Sequence, residues 1–141
     1  MPMRRMNDPR ASDRYPELIE RRTTLGRSLA VVGTARRFVR DALEDSSVDT
    51  DVVETVELLT SEVITNALVH AHSAPQLAVR VRDQSVRVEV ADVSPVVPIR
   101  RDIDANALSG RGIAIVDSLA SEWGVTGLSA HGKTVWFEVA I

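Results

Sequence analysis

Cysteine is absent from the 141 residues, and this removes disulfides, thiolate zinc sites, iron–sulfur clusters and thiol nucleophiles together. No apolar run approaches the ~18 residues of a membrane span, and the arginine-rich start lacks the apolar stretch of a signal peptide. Lysine is nearly missing as well: of 17 cations, all but Lys133 are Arg. That bias resembles the codon usage of a GC-rich bacterial genome. These absences predict a cytoplasmic protein without a membrane anchor, and the length suits one domain of ordinary size.

The charge is uneven. Residues 1–40 hold ten Arg against four acidic residues, whereas residues 41–141 hold 7 basic and 16 acidic residues. The first sixteen residues carry three prolines and little apolar content, which predicts a disordered basic arm over 1–16 ahead of one domain over 17–141. An acidic body repels phosphate-rich partners, so direct nucleic-acid binding is not expected.

Periodicity orders the rest. Residues 20–27 read as a short strand. Ser28 reads as the N-cap of a helix running to Leu43, with Leu29, Val32, Ala35, Val39 and Leu43 on one face. A second helix is expected from Asp51, with Glu54 placed as in a capping box, to Ala71. Its apolar stripe is Val52, Val56, Leu59, Val63 and Ala67. Leu77, Val79 and Val81, then Val86, Val88 and Val90, alternate with polar residues as a hairpin of half-buried strands does. The poorly patterned stretch 93–109 is long for an ordinary connection and reads as a lid or binding loop. A short helix after Gly110, a strand over 123–126 and a strand over 134–141 complete the chain. Helices and antiparallel strands are segregated, which predicts an α+β, two-layer sandwich with helices on one face of a mostly antiparallel sheet.

Chemistry gathers in four places. Glu62, Asn66 and His70 recur every fourth residue along the second helix and form a polar stripe about 100° from the buried Val63/Ala67 stripe. Such a stripe is either a solvated helix edge or the rim of a site, where Glu and Asn oxygens suit Mg²⁺ and a carboxylate can accept a proton. Asp92 ends a strand just before the irregular loop, placed to accept hydrogen bonds from an amino group or to serve as turn chemistry. Gly110, Arg111 and Gly112 open a helix, where free N–H groups favour phosphate. A dinucleotide fingerprint is excluded, because its third glycine falls at Ile115. Lys133, beside Thr134, reaches either phosphate or solvent. His70 and His72 lack a third ligand at metal spacing, His131 reads as turn surface, and Trp123 and Trp136 read as core or core-edge residues.

Taken in order, E62-x-x-x-N66-A-x-x-H70, V-x-V-x-D92, S-G110-R-G112-I-A-I-V and G132-K-T134-V-W-F resemble the sequence boxes of the GHKL, or Bergerat-fold, ATPases. The similarity is greatest to anti-sigma-factor serine kinases of the RsbW and SpoIIAB kind and covers about residues 20–141. The resemblance implies ATP held between helices and sheet, with Asn66 coordinating Mg²⁺ and Glu62 acting as general base. It implies that Asp92 binds the adenine amino group with Thr134 in support. Residues 94–109 would form a lid, and Gly110, Arg111, Gly112 and Lys133 would join the nucleotide site. It further implies phosphorylation of an anti-anti-sigma partner of STAS type, sequestration of a sigma factor, or both, and a possible homodimer. The sequence departs from the family pattern where two glycines usually follow the aspartate: Ser94 and Val96 stand there. It also has Leu108 where these kinases tend to carry arginine. Both departures point to the alternative of a non-catalytic ATP-binding or interaction module.

Overall fold

A computed structural model describes residues 19–71, 74–92, 111–129 and 132–141. The expected arm over 1–16, the loop over 94–109, Gly110, His72 and His131 lie outside the described residues.

The element order is β1 (Ile19–Thr24), α1 (Val31–Asp45), α2 (Thr50–Ala71), β2 (Gln76–Val81), β3 (Ser85–Asp92), α3 (Arg111–Leu119), β4 (Glu122–Ser129) and β5 (Gly132–Ala140). The strands form one sheet in the order β1-β2-β3-β5-β4, every neighbouring pair antiparallel. The three helices among the described residues pack on one face of it, so the fold is α+β, as the segregation of helices and strands predicts.

Strand parity builds the core. On β3, Val86, Val88, Val90 and Asp92 are buried while the intervening residues are half-buried. The register pairs Val86 with Val139, Val88 with Phe137 and Val90 with Val135, which lays one apolar row under the helices. Leu77, Val79 and Val81 of β2 extend it. Opposite it stand Val39, Leu43, Val56, Leu59, Val63 and Ile64 from α1 and α2. Burying each such side chain contributes about 1.5–3 kcal/mol.

Two helix starts differ from the sequence-based expectation. Helix α1 begins at Val31 rather than beside Ser28, because residues 28–30 make a turn: Ser28 Oγ accepts from Ala30 N, and Ser28 O accepts from Val31 N. Leu29 therefore sits before the helix and is exposed instead of joining the apolar face. Helix α2 begins at Thr50, its first turn closed by Val53 N donating to Asp49 O, a shift of the size helix ends commonly show. Its buried face is also wider than one stripe, taking in Val53, Glu57, Thr60 and Ile64, since the helix packs on the sheet and on both other described helices. Strand β4 runs to Ser129, beyond the expected end at Thr126, with a register shift between Thr126 and Ser129 and Gly127 at φ 66°. That left-handed residue lets the strand continue past an irregularity.

Candidate functional site

The sheet's helix-facing row ends in charge. Asp92 is the last residue of β3 and is 5% exposed, and its cross-strand partner in the register is Lys133 of β5. Lys133 Nζ donates to Asp92 Oδ2 at 2.7 Å, and the lysine side chain is itself only 14% exposed. The pair belongs to the same row as Val90 and Val135, one step beyond the apolar residues.

Strand parity separates the two residues that the resemblance places together. With Lys133, Val135, Phe137 and Val139 toward the helices, Thr134 must point to the other side. It pairs with Ala91 and lines a groove of about 350 Å³ with Ala78, Gln76 and Thr24 on the opposite face of the sheet. Lys133, not Thr134, is the residue that the structure brings to Asp92. The alternation Val135-x-Phe137-x-Val139 carries the same parity in the sequence.

On the helical side, Glu62 and Asn66 are half-buried and stand one turn apart on α2, each preceding a core residue, Val63 or Ala67. Helix α2 packs on β3 and β5, the two strands that carry Asp92 and Lys133. Asp92 and Lys133 thus stand on strands that pack against the helix carrying Glu62 and Asn66. Their oxygens suit a hard cation, and among the described residues no group of three or more His, Asp or Glu forms a cage. Mg²⁺ held by one or two protein oxygens and completed by phosphate oxygens fits that donor set. Of the glycine-rich segment, the backbone of Arg111 and Gly112 forms the first turn of α3.

Two buried polar groups of α2 had no counterpart among the expected site residues. Glu57 lies inside the helical layer, 5% exposed, and receives Arg40 Nε at 2.8 Å and Nη2 at 2.7 Å, with Arg36 Nη2 at 3.6 Å. The bidentate hydrogen bond from Arg40 holds its carboxyl below the ordinary range, against the opposing effect of burial. Thr60 is fully buried, and its Oγ1 has no hydrogen-bond partner among the described residues.

The opposite face of the sheet carries a charged lattice. Arg80 and Arg87 both contact Glu89 Oε2, at 3.2 and 2.8 Å, and Arg87 reaches Glu138 Oε2 at 2.9 Å. The Arg87 guanidinium also lies 4.1 Å from the Trp136 ring centroid, a cation–π contact. Trp123 behaves as a core-edge residue: it packs against the core and donates from Nε1 to Asp117 Oδ1 at 2.9 Å.

Residues 27–139 match the model of the histidine kinase-like ATPase domain. No curated protein matches the chain. Among solved structures, a chain of the SiaB–SiaC complex from Pseudomonas aeruginosa is similar in fold, with a TM-score of 0.54 and 12% identity. The alignment covers 94% of this chain and 95% of that one. Among the described residues, no helix is long and apolar enough to cross a membrane.

Proposed function

Since the chain belongs to the histidine kinase-like ATPase family, we propose that it is an ATP-dependent regulator that transfers the γ-phosphoryl group to a serine of an anti-anti-sigma partner of STAS type. The observation that supports this reading is a buried carboxylate, Asp92, at the end of β3, a strand on which the helix bearing Glu62 and Asn66 packs. Asp92 would accept from the adenine amino group. Asn66 would hold Mg²⁺, which when bound neutralises charge on the phosphates. Arg111 and Gly112, at the start of α3, would meet phosphate at the positive end of that helix. Glu62 would take the proton of the partner's serine hydroxyl as its oxygen bonds to the γ-phosphorus and ADP departs. Such a transfer depends on positioning and charge more than on covalent chemistry, which a rigid helix–sheet interface provides. A sigma factor held by the same domain and a second copy of the chain are the further partners proposed.

One observation favours a second reading, in which nucleotide is bound weakly and not turned over: the Asp92 carboxylate is already paired with an ammonium. The experiment is a thermal melt with Mg-ATP followed by transfer of labelled phosphate to a co-encoded STAS-type protein. A ligand at 100 times its dissociation constant adds about 2.7 kcal/mol of stability, a clear rise in Tm. A rise without transfer selects the second reading, and no rise at millimolar Mg-ATP sinks both.

A further inference from the structure

We infer that Lys133 is an internal competitor for the carboxylate that selects the base, so that this chain binds ATP only by displacing its own lysine. The inference rests on the proposed role of Asp92. It is carried by the 2.7 Å contact between Lys133 Nζ and Asp92 Oδ2, by the burial of Asp92 and partial burial of Lys133, and by their positions as direct partners across β3 and β5. Direct cross-strand partners on one face hold their side chains within reach of each other. The pairing is therefore built into the sheet register and is not a chance contact of a surface side chain.

The chemistry of the exchange is unfavourable. A carboxylate shielded from water needs a partner, and a charged donor satisfies it better than a neutral one. The amino group of adenine is a neutral N–H donor. Its arrival trades a charge-assisted hydrogen bond for an ordinary one, and the lysine must carry its charge elsewhere. Asp92 is fixed at a strand end, whereas the lysine stem has four rotatable bonds, so the lysine is the partner that moves. Apparent affinity falls by the fraction of molecules in which the carboxylate is free. Base selection is correspondingly strict, because only a base with a donor facing Asp92 compensates for the lost pair.

The test is calorimetric titration of the full chain with Mg-ATP and with the Mg complex of purine riboside triphosphate, which lacks the amino group. Lys133→Met keeps the apolar stem and removes the donor. Its Kd for Mg-ATP is expected to fall at least about tenfold, the equivalent of one charge-assisted hydrogen bond, with little change for the analogue. Lys133→Gln retains a neutral donor to Asp92 and is expected to give a smaller gain, which keeps the test decisive if Lys133→Met does not fold. Wild-type affinity equal to or tighter than that of the folded variants overturns the inference, as does an equal gain for ATP and the analogue. If neither wild type nor variants bind either nucleotide, the proposed function itself has failed, an outcome distinct from wild-type binding without a gain.

Discussion

Arg40 of α1 clamps Glu57 of α2 through two hydrogen bonds of 2.8 and 2.7 Å, fixing a buried carboxylate between the helices. Because the folded carboxyl titrates below its ordinary value of 4.5, the pair's contribution is fully present above that value. It is lost as pH falls through the depressed one. Arg40→Met is therefore expected to lower Tm at pH 7, where it leaves Glu57 without its main partner. The gap to wild type is expected to hold from pH 7 down to about 4.5 and to narrow as pH falls further toward 3. Melting curves across that range check it; a gap that does not narrow in acid would show that the pair adds nothing through its charge.

Gly124 of β4 faces Trp136 of β5 so closely that a Cβ there would stand 3.0 Å from Cζ2 and 3.1 Å from Cε2 and Nε1. The ring is held from above by Arg87 and cannot easily retreat. Gly124→Ala is expected to cost about 1–3 kcal/mol by overpacking. Adding Trp136→Phe, which removes the clashing atoms, is expected to recover part of that. Denaturant unfolding of the two single variants and the double variant checks the coupling, and strictly additive losses would refute it.

Thr60 predicts a gain. Its buried Oγ1 has no partner among the described residues, so the chain carries the desolvation of a hydroxyl without a hydrogen bond in return. Thr60→Val keeps the shape and removes that deficit. Stability is expected to rise by about 1 kcal/mol in urea titrations, with Mg-ATP binding unchanged. A loss of stability would show that the hydroxyl is satisfied in solution.

The elements and their order were legible because strand and helix periods are strong signals: Val86, Val88 and Val90 alternate on β3 as Val135, Phe137 and Val139 do on β5. Side-chain parity at the site was legible too, in that alternation, although the family resemblance set Thr134 beside Asp92 and gave Lys133 only a place in the nucleotide site. What periodicity cannot carry is the identity of neighbours. That Lys133 meets Asp92 depends on the β3–β5 register, and that Glu57 is buried depends on α1 crossing α2. Both are tertiary facts between residues far apart in the chain. Leu29 reads as part of a helical stripe until the turn at residues 28–30 removes it.

Glu62 and Asn66 occupy equivalent places on successive turns of α2, and their chemistry separates them. An amide cannot take a proton in this reaction but can ligate a cation, whereas a carboxylate can do both. If Asn66 holds the metal, Asn66→Ala is expected to abolish the Mg-ATP rise in Tm, because the phosphates lose their bridge to the protein. If Glu62 is the base, Glu62→Gln is expected to keep that rise and to slow phosphoryl transfer by about 10²–10⁴-fold, the usual contribution of a positioned base. The fold should survive both changes, since both side chains are only half-buried and their neighbours Val63 and Ala67 carry the packing. Parallel melts and single-turnover transfer assays decide it. Equal loss of binding in both variants would mean that the two residues form one metal site, and the role of base would then have to be found elsewhere.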